Sequence, residues 1–136
     1  MKRPDGAYKV PTTLEGFFAK FLSFLKPFHE LSEKQIQLAA AFLAVRYELS
    51  KKITDDELLD AHVLSTEVKR VIKNKLGLTH ANFQVTLGGL RKHGFIEGNR
   101  FNPMYIPNLS DEPQPKSYTM MFYFPIEYDR SGEEDI

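Results

Sequence analysis

A mainly α-helical domain with a small antiparallel sheet is predicted, and three observations carry that reading. Apolar residues recur at helical spacing from Leu14 to Leu90, and each run is opened by a Ser or Thr suited to cap a helix. After Gly94 the apolar period changes to two, the period of a strand. The chain has 136 residues, 42% of them apolar and 26% charged, which suits one globular core and excludes disorder over most of its length.

Residues 1–12 carry Pro4, Gly6 and Pro11 and form an irregular arm; residues 13–125 form the domain, and 126–136 an acidic tail. Thr13 caps a helix beginning at Leu14, in which Phe17, Phe18, Phe21, Leu22, Phe24, Leu25 and Phe28 recur at helical spacing until Pro27 interferes. Ser32 and Gln35 make a capping box for the longest helix, marked by Ile36, Leu38, Ala39, Phe42, Leu43, Val45 and Leu49, which serves as the spine. Ile53 contributes a short strand, and Thr54 with Glu57 opens the brief helix DDELLDAHVL. Ser65 caps EVKRVIKNKL, with Val68, Val71, Ile72 and Leu76 on its buried side and Gly77 as a left-handed C-cap. Thr79 caps the next helix, whose buried stripe is Phe83, Leu87 and Leu90, and Gly94 stops it. Phe95-Ile96 and Arg100-Phe101 then flank Gly98-Asn99 as a tight hairpin. PMYIP is a proline-bearing edge piece, PNLSDEPQPK a polar loop, and SYTMMFYFP an aromatic strand expected to pair with the hairpin.

Net charge is zero, with 18 basic and 18 acidic residues, but the sum hides an uneven distribution. Residues 65–100 hold 7 basic and 2 acidic side chains, whereas residues 101–136 hold 2 and 7. Two neutralising solvated faces would give this pattern, as would a phosphate-binding footprint followed by an acidic tail. The absence of cysteine removes disulfides, thiolate metal sites and a cysteine nucleophile. MKRPDGAYKVPTT lacks the apolar run of a signal peptide, and no apolar stretch nears the roughly 20 residues needed to span a bilayer, so a soluble cytoplasmic protein without membrane contact is expected.

STEVKRVIKNKLGLT followed by HANFQVTLGGLRKHGFIEGN gives the order helix, turn, helix, hairpin, ending in Leu87, Leu90, Arg91, Lys92, Gly94, Phe95, Ile96. Over the roughly 45 residues from Ser65 to Pro107 the chain resembles the winged helix-turn-helix family of DNA-binding domains, most of all small phage and plasmid replication or regulatory proteins. That resemblance implies a winged helix-turn-helix with an extra N-terminal helix, duplex DNA as partner, residues 79–92 as recognition helix, and a place in the host cytoplasm or a virion if phage-encoded.

The residues fit such a role. With Phe83, Leu87 and Leu90 inward, Ala81, Asn82, Val85, Gly88, Gly89 and Lys92 face the other way, flat enough for a major groove. Asn82 and the flanking Gln84 suit adenine, and Ala81 or Val85 a thymine methyl. Thr79 at the helix start, Lys69, Arg70, Lys73 and Lys75 on the preceding helix, and Arg91 and Lys92 are placed for phosphates, with Arg100 beside the hairpin for the minor groove or backbone. Blander readings stand beside these. Gly88-Gly89 would equally let another helix pack closely, Arg100 could pair with Glu97, and Lys69, Lys73 and Lys75 span too wide an arc for one contact line.

DDELLDAH places Asp55, Asp56, Glu57, Asp60 and His62 close together, but acids in a first helical turn are explained by its dipole, and no second cluster supplies ligands. His29, His62, His80 and His93 lie in no zinc spacing and no phosphate loop follows a strand, so neither enzyme activity, metal nor cofactor is expected. The phenylalanine-rich helix needs burial on two sides. Phe17, Phe18, Phe21, Phe24 and Phe28 therefore suggest a homodimer or larger assembly. The alternative function is a structural or adaptor protein, for example a phage particle component, using the same fold for protein contacts.

Overall fold

The computed structural model describes residues 7–109 and 112–129. Among them are six helices, α1 Leu14–Phe24, α2 Lys26–His29, α3 Glu33–Ser50, α4 Asp56–Val63, α5 Thr66–Lys75 and α6 His80–Lys92, then β1 Ile96–Glu97, β2 Arg100–Phe101 and a 3-10 turn Pro103–Tyr105. The fold is mainly helical with one two-stranded antiparallel sheet.

Thr13 caps α1 by accepting the Gly16 N–H at 3.0 Å. The expected continuous helix 14–28 is two pieces, because Pro27 removes an N–H and Leu25 leaves helical geometry, so that α2 starts afresh. A buried histidine fastens the second piece. The Leu31 N–H donates to His29 Nδ1 at 2.9 Å, so the proton sits on Nε2, which donates to the Leu22 carbonyl at 2.7 Å. Burial pushes the His29 pKa below its ordinary 6.5, against the Leu22 hydrogen bond and with help from His93 and Lys26.

The Ser32–Gln35 capping box starts α3. Helices α1, α4, α5 and α6 all pack on it, which explains why its apolar residues do not fall on a single stripe. Ile36, Leu38, Ala39, Phe42 and Leu43 meet Phe18 and Leu22 of α1, Leu59 and Val63 of α4, Ile72 of α5, Phe83, Leu87 and Leu90 of α6, and Phe95 and Phe101 of the hairpin. Each large apolar side chain so buried contributes about 1.5–3 kcal/mol.

Several expectations are corrected. Ile53 is no strand; its N–H bonds the Leu49 carbonyl at 2.9 Å and finishes the turn that ends α3. The cap of α4 is Asp55, which accepts the Leu58 N–H at 3.2 Å, and not Thr54. Val71 is exposed, and Ile72 alone on α5 is fully buried. PMYIP winds into the 3-10 turn because the Asn102 side chain accepts the Met104 N–H at 3.0 Å, and Tyr105 stacks on Phe95.

The hairpin lies where expected, with Ile96 opposite Phe101 and Glu97 opposite Arg100. Gly98 takes φ 61 at the first turn position while Asn99 does not, the pattern of a type II′ turn. SYTMMFYFP forms no strand. The outward Phe101 N–H that a third strand would use is donated instead to Asp60 at 3.1 Å. The segment starts against α1, with the Tyr118 ring edge-on to Phe17 and Phe21. Among the described residues no helix is long and apolar enough to cross a membrane.

Candidate nucleic-acid interface

Helices α5 and α6 are joined by a Schellman turn. Gly77 at φ 66 lets its N–H reach the Asn74 carbonyl at 3.1 Å and the Leu78 N–H reach Lys73 at 3.1 Å. Thr79 then caps α6 through its hydroxyl oxygen, 3.1 Å from the Asn82 N. A second Schellman turn ends α6, with Gly94 at φ 80 and the Phe95 N–H on the Leu90 carbonyl at 2.9 Å. The two helices and the hairpin are thus separated by short, well-formed turns.

Burial of Phe83, Leu87 and Leu90 orients α6. Ala81, Asn82, Gln84, Val85, Gly88 and Lys92 are exposed, and Val85 is 76% so. Gly88 has open space where a Cβ would stand. Gly89 is a correction: its missing Cβ makes room for the Gln35 side chain, the same amide that completes the α3 capping box, so this glycine serves helix packing and not base reading. Only half of the double glycine belongs to the outward face.

The cations divide likewise. Arg70, Lys75 and Lys92 are exposed, while Lys69 and Lys73 are half-buried. Among the described residues the ion pairs are made by Arg46, Lys51 and Arg100, and none of those five cations joins one. Arg91 donates from Nη1 to the Gly98 carbonyl at 2.8 Å, tying α6 to the hairpin tip. Arg100 pairs with Asp60 and not with Glu97, its cross-strand neighbour, and the hydrogen bond raises its pKa further.

Asp60, one acid among several in the DDELLDAH run, stands apart from the others in the structure. It is 1% exposed, and its carboxylate accepts Arg46 Nε at 2.7 Å, Arg100 Nε at 3.0 Å and the Phe101 N–H at 3.1 Å. A signal existed: Leu59, Asp60 and Val63 share the buried side of α4, and an acid there needs partners. Arg46 also approaches Asp56 at 3.6 Å. Beside this network lies a cavity of roughly 670 Å³, lined among others by Phe18, Tyr47, Lys51 and Ile106. Its three cations, Arg46, Lys51 and Arg100, are matched in number by Asp56, Asp60 and Glu112, so its lining carries no net charge. Among the described residues no three His, Asp or Glu side chains cluster to hold a metal ion.

The phenylalanines expected at a protein interface separate. Phe18 and Phe21 are buried in the core, and their assignment to an interface is corrected. Phe17 is covered by Tyr118, whereas Phe24 and Phe28 remain exposed. The acidic tail beyond Asp129 lies outside the described residues. Comparison with protein-family models, curated proteins and solved structures finds no match to this chain.

Proposed function

We propose that the chain is a winged-helix protein that binds duplex DNA, with residues 79–92 in the major groove, acting as a regulator or replication accessory and not as an enzyme. The observation that carries this reading is the outward face of α6: Ala81, Val85, Gly88 and Lys92 form a low exposed surface directly before a short hairpin, and the preceding helix bears Lys69, Arg70, Lys73 and Lys75, which make no ion pair among the described residues. Small side chains let a helix backbone approach base edges, and Asn82 and Gln84 at the margins supply donor and acceptor pairs for adenine. Lys69, Arg70, Lys73, Lys75 and Lys92 would set the helix on the phosphates, and Thr79 offers its hydroxyl at the helix start. Arg91 and Arg100 act indirectly, by holding the hairpin.

The test is fluorescence anisotropy with duplex DNA across a salt series. Affinity falls log-linearly with salt, and Lys73→Glu/Lys92→Glu lowers both affinity and the slope, by about 0.9 for each phosphate contact removed. Absence of binding by the wild type at low salt refutes the proposal. A second reading, an adaptor or structural protein built on the same fold, is favoured by the exposed apolar residues after Tyr118. It expects protein contacts that survive that double substitution.

A further inference from the structure

Residues 116–128 make no backbone hydrogen bond among the described residues, yet Tyr118, Thr119, Phe122, Tyr123 and Phe124 are strong strand formers. The segment already alternates as a strand does. Tyr118 and Met120 pack on the core, and Phe122 is 43% exposed between Met121 at 90% and Tyr123 at 84%. Phe124, Ile126 and Tyr128 project further and are exposed too. An unpaired, apolar segment of strand-forming residues is a template for pairing with another chain.

We propose that this arm pairs antiparallel with the same arm of a second copy, making a two-stranded ribbon between protomers. The outer edge of β2 is not open to it, since the Phe101 N–H there is already donated to Asp60. The end charges point to a second copy. Lys116 precedes the apolar stretch and Glu127 follows it, so antiparallel pairing brings each basic end to the partner's acidic end, while parallel pairing would set Glu127 beside the partner's Glu127. Pro125 has no N–H and bounds the ladder, and a register centred on Met121 sets the aromatic ends of the stretch opposite each other: 118 opposite 124, 119 opposite 123, 120 opposite 122. Every pair joins residues of the same parity, as a two-fold axis perpendicular to the ribbon requires. The register also gives Phe124 a place, across from the partner's Tyr118 and beside the Phe17–Phe21 aromatic cluster on which that ring rests. Dimerisation by this route is independent of DNA binding.

Sedimentation of the full chain over a dilution series tests it. The wild type rises from 15.7 kDa toward twice that mass. Met121→Glu and Met121→Lys, each at an exposed side chain that folding does not need, set like charges against each other on the axis and weaken self-association at least about tenfold. An equimolar mixture of the two variants restores the dimer, a recovery that general damage to the fold could not produce. A wild type that stays monomeric, association indifferent to the Met121 charges, or a mixture that fails to recover overturns the proposal. Association lost instead in Phe24→Ser/Phe28→Ser moves the interface to α1 and α2 and overturns it as well.

Discussion

Replacing Asp60 by asparagine changes almost no volume and removes one charge, and the structure makes that change costly. The Asp60 carboxylate satisfies Arg46, whose side chain is 12% exposed, together with Arg100 and the Phe101 N–H. In Asp60→Asn the amide nitrogen faces donors, and Arg46 keeps a charge with only the more distant Asp56 to balance it. Removing one partner of a buried ion pair typically costs 3–5 kcal/mol, because the remaining charge stays desolvated. Against the 5–15 kcal/mol of an ordinary domain this is about a fifth of the total or more. Urea unfolding by circular dichroism should therefore show a loss of about 3–5 kcal/mol, and the melting temperature a drop of about 10–20 °C for a domain of this size. Asp60→Leu/Arg46→Met, which removes the charge and its nearest partner together, should recover part of the loss, the remainder being the Phe101 N–H left without an acceptor. A loss below about 1 kcal/mol in Asp60→Asn, or a double variant no more stable than the single, would refute the reasoning.

Two other perturbations follow from single contacts. His29 is held neutral in the fold with its pKa lowered, so the unfolded chain binds more protons once pH falls below about 6.5. Stability is full above that value and declines as pH falls from it through the lowered folded pKa; urea titrations at several pH values should show this, and His29→Gln should lose stability at neutral pH while flattening the slope. The two adjacent glycines of α6 should part company: Gly88→Ala, with open space around it, should gain about 0.8–1 kcal/mol from helix propensity, whereas Gly89→Ala displaces Gln35 from the α3 cap and should gain nothing net. Equal gains in thermal unfolding would remove the packing role assigned to Gly89.

Local chemistry was legible where one residue decides the outcome. Thr13, Ser32, Ser65 and Thr79 cap the helices that follow them, and Gly77 and Gly94 adopt the left-handed geometry their position demands. Asp55 displaced Thr54 because two adjacent acceptors compete for one cap and propensity hardly separates them. The aromatic strand was misplaced for a different reason. Whether 117–124 can pair with β2 depends on whether the Phe101 N–H is free, and that is decided by Asp60, 41 residues away. Periodicity cannot see such a contact. The same limit applies to the candidate interface: α6 displays its outward face as its stripe foretold, but the division of labour between Gly88 and Gly89 turns on the distant Gln35.

The hairpin is pinned at both ends, by Arg91 of α6 at the Gly98 carbonyl and by Asp60 of α4 at Arg100 and Phe101. Strands of two residues have almost no stability of their own in water. Their order is borrowed, since fraying the base would open a buried carboxylate to solvent and strip it of its donors. The Phe101 amide should therefore exchange its hydrogen only with global unfolding, and not through local opening. Motion that tilts α6 would carry the hairpin with it as one body, so a ligand touching either element would feel the position of both.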